Sequence, residues 1–314
     1  MSVPVLPRSV GTSLARLEGR EKVMGRARYA YEHHAEGMAY CHPVQATIAA
    51  GEVRDVDAAE ALARTGVLAV VWAGNAPALG DAGDAELALF QSRTVAYRGQ
   101  IVAAVVADSL EGAREAAGLV KVAYDERPHD VTLRPDHPEL YAPEKVNPAF
   151  PNETGQGDPD AALAAAAVSV DATYSTPAFH NNPMEPHATV AVWEHGGLTL
   201  YDSTQGVSGV VRSIAKLFGL EPAQVRVISP HVGGGFGSKG LPRPNVALAA
   251  IAAKVVERPV KVATTRQQMF AYTGYRTPTI QRLRLGADAS GRLQAISHEA
   301  SEQTSRLMEF PPGY

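Results

Sequence analysis

The residues best placed to do chemistry stand in the run Ser229-Pro-His-Val-Gly-Gly-Gly-Phe-Gly-Ser-Lys-Gly240. Glycines fill four of the five positions from 233 to 237, and Phe236 is the one bulky side chain among them. Without a Cβ, such a stretch lets a ligand reach the main chain and permits positive φ. A β-branched run, Val225-Arg-Val-Ile228, leads in and reads as a buried strand. An Ala-rich segment from about Asn245 to Val256 leads out and reads as a helix. Strand, glycine loop and helix N-terminus together present backbone N–H groups to an anionic or oxygen-rich ligand.

Two other polar loops accompany it. Ser203-Thr-Gln-Gly206 follows the strand Leu198–Tyr201 and precedes a helix that runs to Phe218 and closes at Gly219. Were the strands ending at Tyr201 and Ile228 parallel neighbours, their loops would emerge at one sheet edge and meet on one ligand. The segment Phe179-His-Asn-Asn-Pro-Met-Glu-Pro-His187 is dense in polar groups between prolines. Glu185 and His187 could contact a ligand there, but the preferred reading is structural, with the carboxylate satisfying nearby backbone donors.

The elements that must position these loops fall into two parts. From about Leu14 to Tyr124 strands and helices alternate: one strand over Met38–Ala49, a helix capped by Asp57, strands Val67–Trp72 and Ile101–Val106, a helix capped by Asp108-Ser109, and a strand Leu119–Tyr124. Gly74–Glu86 reads as a mobile polar loop, and His33, His34 and His42 as surface or satisfied histidines. From Asp125 to Asp160 seven prolines break regular structure, which predicts an extended linker. Asp158 or Asp160 then caps a helix over 161–167, and strands follow at Val168–Thr176, Thr189–Trp193, Leu198–Tyr201, Val225–Ile228 and from Arg258 to Val262. The fold class is α/β (α+β). The expected divisions are a tail at 1–13, an α/β domain at 14–126, a linker at 127–157 and a second domain over 158–314.

Composition excludes several classes. The chain has 314 residues with a net charge of −4, which argues against nucleic acid or an anionic membrane as partner. The single cysteine, Cys41, leaves no internal disulfide and no thiolate metal site, and reads as a buried, inert thiol. No stretch has the length of a membrane span, and Met1–Gly11 lacks a secretory pattern. The expected location is the cytoplasm, with export alongside a signal-bearing partner left open.

Three readings of the glycine loop compete. Gly235-Phe-Gly-Ser-Lys-Gly240 formally matches G-x-G-x-x-G, which would make an NAD(P) site of Rossmann type, with Glu257 as the ribose acid. The match is weak: Phe236 occupies the tight turn and Glu257 lies at a helix end. A phosphate-binding P-loop fails because Gly240, not Ser or Thr, follows Lys239. The third reading is a loop whose main chain and one aromatic wrap a large oxygen- and sulfur-rich cofactor.

Gly233-Gly-Gly-Phe-Gly-Ser-Lys239, with Ser203-Thr-Gln-Gly206 and Met184-Glu-Pro-His187 before it, closely resembles the molybdopterin-binding subunit of the xanthine dehydrogenase and aldehyde oxidase family. Leu17-Glu-Gly19, Met24-Gly-Arg-Ala-Arg-Tyr29, Tyr97-Arg-Gly-Gln100 and Val122-Ala-Tyr-Asp-Glu126 look like that family's α/β hammerhead domain. Bacterial three-subunit aldehyde oxidoreductases look nearest. The resemblance implies a hammerhead domain followed by the first part of a molybdenum cofactor-binding domain. It implies a molybdenum–molybdopterin cofactor, in its cytosine dinucleotide form in some members, held by Gln205, Gly206, Gly234, Gly235, Phe236, Gly237 and Lys239. Gln205 would hydrogen-bond an oxygen ligand of molybdenum, and the main chain of Phe236 and Gly237 would lie against the metal centre. The metal would be held by the pterin dithiolene, with no side-chain ligand. Activation of a metal hydroxide and hydride transfer to a sulfido ligand would then oxidise an aldehyde to a carboxylic acid, with water as oxygen source. Iron–sulfur clusters and FAD would reside on partner subunits.

Two departures qualify that expectation. The family's general base is a glutamate near the C-terminus of a chain more than twice as long. Glu299, Glu302 and Glu309 lack its glycine-rich setting. No catalytic residue is therefore expected within this chain, which reads as a fragment or split gene product that needs the remaining part of the molybdenum subunit. Without a partner it could equally be a non-catalytic remnant with exposed apolar surface. Purine-oxidising members also carry a glutamate directly after the loop lysine, where this chain has Gly240. An aldehyde substrate is preferred for that reason. Plainer roles remain open: Gln205 as a helix cap, Arg276 as a surface or interdomain ion-pair residue, and Lys239 either beside the cofactor or closing the loop through a backbone carbonyl.

Overall fold

A computed structural model describes residues 10–146 and 150–309. The expectations for Met1–Ser9 and for Phe310–Tyr314 lie outside the described residues. The chain begins with α1 (Gly19–Val23), β1 (Ala39–Gln45), β2 (Gly51–Asp57), α2 (Ala59–Leu62), β3 (Val67–Trp72), β4 (Thr94–Val95), β5 (Ile101–Ala107), α3 (Leu110–Ala117) and β6 (Lys121–Glu126). Short strands β7 (Lys145–Val146) and β8 (Phe150–Pro151) lie in the proline-rich segment. Then come α4 (Pro159–Ala165), β9 (Val168–Thr176), β10 (Phe179–His180), β11 (Ala188–Glu194), β12 (Gly197–Asp202), α5 (Val207–Phe218), β13 (Val225–Ile228), α6 (Pro244–Val256) and β14 (Val260–Ala263). The chain continues through α7 (Arg266–Tyr272), β15 (Tyr275–Arg276), β16 (Thr279–Ala287) and β17 (Leu293–Glu302).

The principal sheet has seven strands in the order β13-β12-β11-β14-β1-β5-β3. It therefore takes strands from both sides of the proline-rich segment, joined where β1 pairs in parallel with β14 from Ala39↔Val260 to Cys41↔Val262. That pairing reaches only to Cys41, so Pro43, which has no N–H to give, sits where β1 needs no donor toward β14. β5 lies between β1 and β3, and all of Ile101–Ala107 is buried, as a continuous apolar run requires. α6 is buried along nearly its whole length, and its Ala-rich face fits closely against the sheet. Its one polar residue in the first turn, Asn245, is buried too.

Local signals act where the sequence places them. Ser109 Oγ accepts the Gly112 N–H at the start of α3, and Asp158 Oδ1 accepts the Ala161 N–H at the start of α4. Gly219 closes α5 at φ 64°. Two expectations change. The single strand expected over Met38–Ala49 ends at Gln45, where the register shifts, and β2 begins at Gly51 in a separate sheet with β4 and β6. The Gly74–Glu86 loop is packed: Gly80 N–H donates to Leu217 O at 2.8 Å, while Leu79 and Ala82 pack against the core. β14 falls where a strand was expected and inserts between β11 and β1.

A second, three-stranded antiparallel sheet runs β17-β16-β9. Register places Val170, Leu285 and Ile296 on one face, with Tyr174 nearby, and Asp171, Arg284 and Gly286 on the other. α4 covers the second face: Arg284 Nη1 donates to Asp160 Oδ1 at 2.9 Å, and a Cβ on Gly286 would lie 3.0 Å from Ala166 Cβ. On the first face Val168, Val170, Tyr174 and Ile296 are exposed.

Candidate functional site

β12 and β13 are parallel neighbours, with Leu198↔Val225 through Tyr201↔Ile228 in register. The loops that follow them therefore leave the same sheet edge, as the condition set by the sequence required. They are laced together there. Ser229 Oγ donates to Thr204 O at 2.7 Å, Thr204 Oγ1 donates to Lys239 O at 3.2 Å, and Gln205 N–H donates to the same carbonyl at 2.9 Å. Gly206 approaches the Gly240 carbonyl so closely that a Cβ at 206 would overlap it. Gly206 stands at the N-cap of α5 and Thr204 Oγ1 accepts its N–H at 3.0 Å, so Gln205 does not cap that helix.

Between Gly233 and Lys239 the backbone turns sharply. Gly234 has φ 94°, Phe236 52° and Gly237 102°. Phe236 is a bulky residue in the left-handed region, a conformation that persists only where the surroundings impose it. Ser238 supplies part of that constraint: its N–H and its Oγ both donate to Gly235 O, at 2.9 and 2.7 Å. Asn181 supplies more when its carboxamide is assigned the orientation that satisfies both ends: it then donates to Phe236 O at 3.2 Å and accepts from Ser238 N at 3.3 Å. Phe236 is 67% exposed, and its ring lies against Gly234. The Gln205 carboxamide lies directly over Gly235, where any side chain at 235 would displace it. Gln205, Gly206, Gly234, Gly235, Phe236 and Gly237 are thus gathered into one open cradle of main chain, one carboxamide and one aromatic ring.

Lys239 points elsewhere. Its ammonium is buried and donates to Glu185 Oε2 at 2.7 Å and to Glu185 O at 2.9 Å. Of the two readings left open for it, the loop is closed through a backbone carbonyl. Burial pushes its pKa down, and the Glu185 carboxylate opposes that shift. Glu185 also accepts the Gly233 N–H at 2.7 Å, so the preferred structural reading of this carboxylate describes what it does. His187 is buried as well. Its Nε2 lies 3.2 Å from Ser238 O, and burial lowers its pKa to about 3, so the ring is neutral and donates there. Arg243 Nε donates to the same carbonyl at 3.0 Å.

Behind the cradle lies a polar group that sequence reasoning missed. Asp202 ends β12 fully buried and accepts from Thr189 Oγ1 at 2.6 Å, while Asn245 Nδ2 donates to Thr189 Oγ1 at 2.8 Å. β12, β11 and the first turn of α6 are tied together three residues before Gln205. Burial raises the Asp202 carboxyl to about 7, with Thr189 and Lys239 opposing the rise. The signal was present in the sequence: Asn245 is a lone carboxamide opening a helix that is apolar from there to Ala253. Among the remaining expectations, Arg276 lies exposed on β15. His33 stacks on Tyr201 at 4.2 Å, His42 contacts Gln268 at 3.1 Å, and Cys41 is buried with its thiol pKa pushed up.

The fold is that of an α/β protein with two glycine-containing loops meeting at the edge of a parallel strand pair, and comparison identifies its family. Residues 141–313 match the molybdopterin cofactor-binding domain, and residues 24–128 match the aldehyde oxidase and xanthine dehydrogenase a/b hammerhead domain. The chain belongs to this molybdopterin-binding family. It is 41% identical over 293 residues to the aldehyde oxidoreductase molybdenum-binding subunit PaoC of Escherichia coli strain K12, covering 93% of this chain and 40% of that protein. It is 30% identical over 324 residues to the carbon monoxide dehydrogenase large chain of Hydrogenophaga pseudoflava, again covering 93% and 40%. The quinoline 2-oxidoreductase of Pseudomonas putida 86 superposes with a TM-score of 0.79 at 25% identity, over 92% of this chain and 39% of that one. The chain thus spans about two fifths of the length of these relatives. The Rossmann-type alternative gains no support. After the glycine loop α6 leads to β14, which pairs with β11 and β1 rather than beside β13, and Glu257 sits exposed in the left-handed C-cap of α6.

The residues present fit a pterin-borne metal group. Glycines at 206, 233 and 235 let the loops close on Gly240 O, Glu185 and the Gln205 carboxamide, and what they present around exposed Phe236 and Gly237 is main chain and one carboxamide. These suit an oxygen-rich ligand.

Proposed function

We propose that this chain forms part of the molybdenum-bearing subunit of an aldehyde-oxidising enzyme and holds the cofactor between the 203–206 and 233–239 loops. The carrying observation is the convergence of Gln205 on Gly235 across two parallel βα loops. Gln205 would present its carboxamide to an oxygen carried by the cofactor, and the Phe236–Gly237 main chain would lie beside it. When bound, the cofactor supplies the redox change that converts an aldehyde to a carboxylic acid with water as oxygen source. The chain's own residues orient the cofactor and, through Phe236, shield one side of it from water. The general base belongs to a complementary part of the subunit, and iron–sulfur and FAD subunits carry the electrons away. Cytosine dinucleotide is the proposed cofactor form. The cytoplasm is the proposed compartment, unless a signal-bearing partner takes the complex out.

Two observations support a complementary part. The apolar face of β17-β16-β9 is open, with Val168, Val170, Tyr174 and Ile296 exposed as at surfaces that pack on other polypeptides. The chain also covers 72% of the nicotinate dehydrogenase large molybdopterin subunit of Eubacterium barkeri at 27% identity, so a relative exists at nearer to this length.

The test is expression in a host that makes molybdenum cofactor, followed by measurement of molybdenum and pterin per purified chain. Cofactor should accompany the wild-type chain and fall several-fold with Gln205→Ala. Aldehyde oxidation should appear only once the complementary part is supplied. A chain that takes up no pterin but is stabilised by NADH would sink the proposal.

A further inference from the structure

The glycine loop begins and ends on one side chain. Glu185 Oε2 accepts the Gly233 N–H and the Lys239 ammonium, both at 2.7 Å. The Glu185 main chain does the same work in parallel, its N–H donating to Gly233 O at 3.1 Å and its O accepting from Lys239 Nζ at 2.9 Å. Gly233 sits so close that a Cβ there would lie 2.5 Å from Glu185 Cβ. Everything strained in the loop, the positive φ angles of Gly234, Phe236 and Gly237, lies between these two anchors. Strain of this kind needs a surrounding structure that over-determines it.

The same contacts settle where the loop's one cation is directed. A lysine that met an anionic ligand would have to face the cradle, yet the Lys239 side chain is 0% exposed and its charge is spent on Glu185. We propose that Lys239 and Glu185 are a positioning pair, which holds the Gly234–Gly237 main chain in its receptive shape and leaves the cradle without net charge. The cofactor would accordingly be recognised by N–H geometry and shape rather than by a lysine. This inference rests on the cofactor reading above only in naming what the loop receives.

The test compares amide hydrogen exchange in peptides covering 229–243, thermal melting, and titration with molybdopterin, all on the full chain. Lys239→Met and Glu185→Gln should each speed loop exchange at least tenfold and lower Tm, with exchange in α6 unchanged. Both should weaken molybdopterin binding to a similar extent. A direct contact between Lys239 and the cofactor would instead weaken binding in Lys239→Met alone, which would overturn the proposal. The double variant Glu185→Gln/Lys239→Met leaves no charge buried alone, so its Tm should recover toward wild type. Its loop exchange should stay at least tenfold fast and its binding at least tenfold weak, because Met cannot rebuild the bond to Glu185 O. Wild-type exchange or wild-type affinity in the double variant would overturn the positioning role. A wild-type chain that takes no molybdopterin would overturn the cofactor reading, while the exchange comparison would still decide whether the pair shapes the loop.

Discussion

The Gln205 carboxamide rests on the α-carbon of Gly235, with no room between them for a side chain. The obstacle to a methyl group at 235 is the far end of a flexible side chain. At Gly206 it is the fixed carbonyl of Gly240. These two glycines should respond differently to the same substitution. Gly235→Ala should swing Gln205 aside at small cost in Tm and lower the cofactor retained per chain. Gly206→Ala should force the two loops apart and cost about 1–3 kcal/mol of stability, the usual range for overpacking. Thermal melting and molybdenum analysis of both variants check this.

Gly240 offers the opposite case. The nearest atom to a Cβ built there is Gly237 O, at 4.0 Å, and no positive φ is recorded for it. Gly240→Glu should fold with a stability within about 0.5 kcal/mol of wild type, as for an unconstrained surface substitution. Chemical denaturation of the variant is the direct measurement. A large loss would show that 240 is glycine for backbone reasons and would remove its value as a mark of substrate class.

Buried titratable groups in the principal sheet and beside it oppose one another. Asp202, raised to about 7, binds a proton in the folded chain over a range where the unfolded chain has lost it, so its contribution falls as pH rises from near 4 to 7. His187, lowered to about 3, and His42, lowered to about 4, do the reverse: the unfolded chain binds the proton first, and stability is lost as pH falls below about 6.5. In the wild type these slopes oppose each other between pH 4 and 6.5. Asp202→Asn should remove one side of the balance and leave a steeper loss of stability on acidification, by up to ~1.4 kcal/mol per pH unit for each proton uncovered. Melting curves from pH 4 to 8 on both chains would show it, and parallel curves would count against the assigned protonation states.

Cys41 is fully buried on β1, beneath the pairing with β14 and β5. Labelling by a maleimide at pH 7.5 should be negligible in the folded chain and complete in denaturant. Rapid native labelling would mean that the β1–β14 pairing opens readily.

Much of this arrangement could be read in the sequence because it rests on local chemistry. Asp158, Ser109 and Gly219 mark helix ends with their own side chains or lack of one, and each acts where expected. The two site loops could be foreseen as neighbours because β12, α5 and β13 form a consecutive crossover. What was hidden depends on partners far along the chain. No periodicity reports that Val260 pairs with Ala39, or that a lysine in a glycine loop turns back to a carboxylate 54 residues earlier. Of the Asp202–Thr189–Asn245 group only Asn245 stands out in the sequence, and its partners lie 43 and 56 residues earlier.

The insertion of β14 between β11 and β1 also governs how the chain can be made. β1, β3 and β5 can associate as soon as Ala107 has been synthesised, but the other side of β1 must wait for Val260. At ordinary ribosomal rates that interval is on the order of ten seconds. During it the nascent protein carries an unpaired strand edge, a template for the wrong neighbour. Misassociation during synthesis would start at that edge, which closes only when β14 arrives.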